Sequence, residues 1–170
     1  MISRKIEEKL NAQVAREAAS SQLYLAMASW AEVEGFEGVS EFLYRQSDEE
    51  REHMLKLIKF VNERGGSAIV PSLEQPPAKF TSMRSVFEDL LEHERGITNA
   101  INELVHITLE EKDYTTHRFL QWYVEEQLEE EALAQTILDK LKLIGEEKGG
   151  GLYMFDRDIT SMSANPATDE

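Results

Sequence analysis

Pro71, Pro76, Pro77 and Pro166 are the only prolines in the chain, and they leave four long stretches that none of them enters. Proline would break a helix interior by removing an N–H and clashing with the preceding turn. The stretches run from Arg4 to about Glu34, about Val39 to Arg64, about Met83 to Glu110, and about Tyr114 to Ile144. Each is more than twice the usual helix length of about 11–12 residues. At 1.5 Å per residue, each spans roughly 40–46 Å. Ser3 and Ser82 stand where N-caps belong, and Gly65 and Gly145 where helices stop. Breaks at Glu34–Gly38 and Lys112–Asp113 are short, so the flanking helices are antiparallel. The connection from Gly65 to about Phe80 is long enough to travel the length of a bundle. An all-α four-helix bundle with one long crossover follows. After Gly149-Gly150-Gly151, read as a hinge, Leu152 to Met162 form a short apolar segment. We expect one domain over residues 1–170, with the bundle at about 4–145. A short fifth helix at about 150–162 and a mobile tail at 163–170 complete it. Leu152, Tyr153, Phe155 and Ile159 have no obvious core to join.

The apolar stripes of these helices, followed at steps of three and four, each meet an acid. The first reads Ile6, Leu10, Val14, Glu17, Ser21, Tyr24, Ala28, Ala31. The second reads Val39, Leu43, Gln46, Glu50, His53, Leu57, Phe60. The third reads Met83, Phe87, Leu90, Glu94, Ile97, Ile101, Leu104, and the fourth Leu120, Tyr123, Gln127, Glu130, Ala134, Ile137, Leu141. All the interruptions lie near helix midpoints, so they share one level of the bundle. Burying carboxylates without a counter-charge costs several kcal/mol per ion. No Lys or Arg stands on the stripes at that level, whereas a multivalent cation would balance them. Four Glu and one His make a hard, mostly oxygen site. The histidine argues against calcium and magnesium and for a first-row transition metal. Glu50-x-x-His53 puts two donors one turn apart on one face. Two metal ions sharing Glu50 as a bridge, with iron as the ion, is the arrangement this donor count favours.

Composition closes off other classes. With no cysteine there is no thiolate site, disulfide or cysteine nucleophile. The 18 Lys+Arg against 33 Asp+Glu give a net charge of −15, which argues against binding the phosphate backbone of nucleic acid. It suits a protein that attracts cations. The N-terminal residues lack the apolar core of a signal peptide, and no run is long enough to span a membrane. A cytoplasmic location is expected.

Glu17, Glu50-x-x-His53, Glu94 and Gln127-x-x-Glu130, with the run Phe119-Leu-Gln-Trp-Tyr-Val-Glu-Glu-Gln-Leu-Glu-Glu-Glu131, resemble the ferritin-like superfamily. Within it, the chain resembles the non-haem bacterial ferritins over nearly its whole length. Gln127-x-x-Glu130 replaces the second Glu-x-x-His of bacterioferritins. Arg51 stands where bacterioferritins carry their haem-ligating Met, so no haem is expected. The resemblance implies iron site A at Glu17, Glu50 and His53. It implies site B at Glu50, Glu94 and Glu130, with Gln127 hydrogen-bonding nearby and Tyr24 beside the centre. A third iron site on the cavity side falls on Glu49, Glu126 and Glu129; a solvated acidic face is the competing reading. His93, His106 and His117 lie off the metal stripe and read as surface histidines, and Trp122 as packing. The implied activity is iron storage with ferroxidase chemistry: Fe(II) oxidised by dioxygen or hydrogen peroxide and kept as ferric mineral in a shell of twenty-four copies. The alternative is a small di-iron redox enzyme, a rubrerythrin-like peroxidase without storage.

Overall fold

A computed structural model describes residues 2–145 and 150–163. It contains α1 (Arg4–Val33), α2 (Glu37–Glu63), α3 (Met83–Glu110), α4 (Tyr114–Ile144) and α5 (Gly151–Ile159). Residues 146–149 and 164–170 lie outside the described part, and with them Gly149 of the expected hinge and nearly all of the expected mobile tail. None of the described helices is long and apolar enough to cross a membrane.

The helices begin and end where their caps are. Ser3 Oγ accepts from the Ile6 N–H at 3.2 Å. Ser82 and Ser85 cap each other's backbone in a reciprocal box. Asp113 Oδ1 accepts from the Thr116 N–H at 3.1 Å while the same carboxylate takes the Arg64 guanidinium at 2.9 Å. That ion pair ties the end of α2 to the start of α4. Ser3, at the start of α1, donates to Glu111, just past the end of α3. So α1 and α4 start at one end of the bundle, where α2 and α3 finish. The connection from α2 to α3 therefore runs the full length of the bundle, as expected.

The core divides into two apolar blocks. One holds Ile6, Leu10, Val14, Leu57, Val61, Ile97, Ile101, Leu104, Leu120 and Tyr123. The other holds Tyr24, Met27, Ala28, Val39, Phe42, Leu43, Phe87, Leu90, Leu133, Ile137 and Leu141. Along every one of the four long helices, a polar layer separates the first block from the second. Glu17, Glu50, His53, Glu94, Gln127 and Glu130 are the middle of that layer, and all are buried.

One expectation about α5 is corrected. Phe155 and Ile159 do have a core to join: both are buried in the second block, Phe155 edge-on to Phe87 at 6.0 Å. Asp156 Oδ1 accepts the Val39 N–H at 2.9 Å and so caps α2, whose own N-cap residue, Phe36, supplies no side-chain bond. Gly38 lets the two backbones meet, since a Cβ there would lie 1.8 Å from the Asp156 carbonyl oxygen. Only Tyr153 and Met154 of the apolar set on α5 face outward, 71% and 44% exposed. The helix also ends at Ile159 rather than near residue 162.

Candidate metal centre

Glu17 enters the polar layer from α1, Glu50 and His53 from α2, Glu94 from α3, and Glu126, Gln127 and Glu130 from α4. His53 Nδ1 lies 3.7 Å from Glu50 Oε1 and 3.9 Å from Glu17 Oε2. One donor atom from each of these three residues lies within 4.8 Å of the others, the one such group among the described residues. Donors bound to a common ion at about 2.0–2.2 Å sit roughly 3–4 Å apart, so the group already has the spacing of a chelate. Three buried atoms of the group, Glu17 Oε2, Glu50 Oε2 and His53 Nδ1, have no hydrogen-bond partner. Buried polar atoms are rarely left so. One ion taking Glu50 through the Oε1 that faces the imidazole would satisfy Glu17 Oε2 and His53 Nδ1, and leaves Glu50 Oε2 free for a second ion.

Burial sets the protonation of the group. It pushes Glu17 up to about 7, partly offset by hydrogen bonds from Glu50 and Gln13. Burial, then the Glu17 and Glu94 charges, hold Glu50 well above the carboxylate range. Glu130 is pushed up to about 9 by burial and then by Glu94, Glu49, Glu126 and Glu129. Burial and the nearby Lys56 lower His53 to about 4, so its imidazole is neutral near pH 7 and can offer a lone pair. Carboxylates that retain protons and a histidine that refuses one describe a site waiting for positive charge.

Around this group, neighbours fix orientations. Tyr24 donates its hydroxyl to Glu94 Oε1, and Gln127 Nε2 donates to Glu94 Oε2 at 2.9 Å. Glu94 is thus held beside the three-residue group rather than within it. Tyr123 donates to the His53 carbonyl at 2.7 Å, anchoring the α2 turn that carries the imidazole. Trp122, half-buried, stands edge-on to His53 at 5.1 Å, with the Lys56 ammonium 3.4 Å over its ring. Of the third-site candidates, Glu126 is buried and faces His53 Nε2 at 3.9 Å, so the solvated-face reading fails for it. Glu49 and Glu129 are half-buried, and with Glu126 their charges bear on Glu130.

The three histidines off the metal stripe differ in exposure. His93 is half-buried, with its Nε2 2.7 Å from Ser20 Oγ and its ring edge-on to Tyr24. His117 is also half-buried, 3.4 Å from the Gln121 amide. His106 is exposed and pairs with Glu110 at 3.3 Å. Sequence reasoning overlooked Gln13, buried one turn before Glu17, whose Nε2 donates to Glu17 Oε1 at 2.7 Å. Its place between Leu10 and Val14 on the buried face was the available signal.

A metal-ready layer across four long helices invites comparison with known proteins. Residues 7–144 match the ferritin family in its ferritin-like domain. The chain belongs to the ferritin family. A probable bacterial non-heme ferritin-like protein of Haemophilus influenzae is 47% identical over 163 residues, 96% of this chain and 98% of the relative. The bacterial non-heme ferritin of Campylobacter jejuni is 44% identical, over 96% of this chain and 97% of its own. Among solved structures, an open pore ferritin from the archaeon Archaeoglobus fulgidus superposes with a TM-score of 0.92 at 43% identity. It covers 95% of this chain and 98% of its own. This ferritin therefore shares both fold and length with its relatives.

Proposed function

We propose that this ferritin oxidises Fe(II) at a di-iron centre built from its buried polar layer and stores the product as ferric mineral. Iron storage with ferroxidase activity is the function of the family; the particular residues, oxidant and assembly are our reading. The observation that carries it is the trio of unpartnered buried donors on Glu17, Glu50 and His53. These three hold one iron as site A. Glu50, with one oxygen toward His53 and the other unpartnered, bridges to site B, completed by Glu94 and Glu130. Gln127 and Tyr24 orient Glu94. Glu49, Glu126 and Glu129 hold a third iron on its way from the pair. No haem is part of the centre.

Two ferrous ions each give up one electron. Dioxygen takes both with two protons and leaves as hydrogen peroxide; peroxide as the oxidant takes two electrons and becomes water. The ferric product hydrolyses to oxo-hydroxide and releases protons. Carboxylates are suited to this change because they shift between one-oxygen and two-oxygen binding as the metal hardens, without leaving the site. A net charge of −15 draws Fe(II) to the protein.

The storage compartment is a shell of twenty-four identical chains in the cytoplasm, with neither nucleic acid nor membrane as a partner. Tyr153 and Met154 on the outer face of α5, together with Ile69 and Val70 on the crossover, are exposed apolar side chains suited to contacts between copies. Aerobic loading with a large excess of Fe(II), followed by size-exclusion with protein and iron detected together, tests this. Iron far above two or three per chain, eluting with a particle of hundreds of kilodaltons, is expected. Two or three per chain on a small oligomer would instead indicate a di-iron redox enzyme without storage.

A further inference from the structure

Gln13 lies wholly inside the bundle, in a helix segment whose other buried residues, Leu10 and Val14, belong to an apolar block. A polar amide there needs a reason. Its Nε2 donates to Glu17 Oε1 at 2.7 Å, while its own carbonyl oxygen has no partner. A carboxylate that binds a metal is ionised and can only accept, so the amide nitrogen must face Glu17 and the oxygen must face away from that carboxylate. The Gln13 carbonyl stands among the buried atoms without a partner beside Glu17 Oε2, Glu50 Oε2 and His53 Nδ1. Metal ions at sites A and B account for the other three. They cannot account for Gln13 in the same way, because Gln13 stands one turn behind a residue that the site A ion would already hold.

We propose that Gln13 is a positioning residue for site A: its amide N–H fixes Glu17 with Oε2 turned to the metal, and its carbonyl accepts a hydrogen bond from a water on that metal. The proposal rests on the site A reading above. Ferrous iron arrives hydrated, and three protein donors leave coordination positions to water. A metal-bound water is a strong donor and needs an acceptor in a place that bulk solvent does not reach. A buried amide oxygen supplies one without adding charge. The same amide also chooses which Glu17 oxygen is free, which is how outer partners orient the groups that touch a metal.

Anaerobic titration with Co(II), followed by its visible absorption bands, tests this on the assembled protein. Gln13→Met keeps the length of the side chain and removes both hydrogen-bonding atoms. It is expected to weaken the first Co(II) by roughly 10–100-fold, the range for outer partners of metal ligands. It should also alter the band shape, because Glu17 is released and a bound water loses its acceptor. With Fe(II), the concentration for half-maximal initial rate should rise by a similar factor, while the maximal rate changes much less. Gln13→Asn, which keeps the amide but draws it back from Glu17, gives the same reading should the methionine variant fail to fold. Wild-type affinity in these variants, or weakened affinity with an unchanged spectrum, would overturn the role. Glu17→Ala is titrated alongside. If it loses the first Co(II) while Gln13→Met does not, only the Gln13 proposal fails; if it binds as the wild type does, the site A reading fails with it.

Discussion

Replacing Glu17 and His53 together by alanine is expected to cut the initial rate of Fe(II) oxidation by about 100-fold or more, beyond what outer partners of a metal site usually cost. The helices should survive. The two side chains contribute little hydrogen bonding between helices, since Glu17 Oε2 and His53 Nδ1 have no partner in the folded chain. Glu17 is also a burden to the metal-free protein, since burial raises its carboxyl to about 7. Removing it takes away a carboxyl that must otherwise be kept protonated or paired. Two cavities offset that gain, and large-to-small changes in a core cost about 2–5 kcal/mol when packing cannot relax. The apolar blocks on either side are untouched by the change. Circular dichroism should therefore match the wild type, while stopped-flow oxidation loses its fast phase. Undiminished oxidation in the double variant would remove Glu17 and His53 from the centre.

The second large effect is on stability with pH. Glu130 has a folded pKa of about 9, well above the 4.5 of an unperturbed glutamate, because of burial and the surrounding carboxylates. Between those two values the folded chain holds a proton that the unfolded chain has lost. Stability therefore falls as pH rises, by about 1.4 kcal/mol per unit for one such group. His53 works in the opposite sense, but only below its ordinary value of 6.5, and Glu17, half-titrated at about 7, adds only a small further fall in the same sense as Glu130 above that pH. From pH 7 to 9 the fall owed to Glu130 amounts to about 2 kcal/mol, the slope halving as the pH reaches its folded value. Glu50, raised in the same direction, steepens it. The metal-free protein should thus melt at lower temperature at pH 9 than at pH 7. Glu130→Gln, an uncharged isostere, should flatten much of that difference. A melting temperature that holds steady or rises over this range in the wild type would show that Glu130 is ionised at neutral pH, and that the layer is better solvated than its burial implies.

Much of this molecule can be read from residue spacing, and the reason is the length of its helices. A bundle of four long helices repeats one rule for 27 to 31 residues at a time, so a departure from the rule is conspicuous. Acids at positions 17, 50, 94 and 130 are such departures, and they fall in the layer between the two apolar blocks. What spacing could not supply was the partner of each departure. His93 reads as a surface residue from its place on α3, yet it is half-buried because Ser20 and Tyr24, both on α1, close over it. Glu126 sits among other acids in sequence, but α4 turns it toward the imidazole of His53 rather than to solvent. The position of α5 depends on an approach between Gly38 and Asp156, residues far apart in the chain, which no local pattern encodes. Gln13 was hidden for a different reason: a single glutamine on a buried face looks like an imperfection until its orphaned oxygen is located.

The most direct measurement is anomalous diffraction at the iron edge from crystals soaked in Fe(II) without oxygen. Two peaks inside each bundle are predicted. One is bounded by Glu17, Glu50 and His53, the other by Glu50, Glu94 and Glu130, with Glu50 between them. A single peak, or iron found only on the exposed acidic surface, would contradict a di-iron centre in this layer.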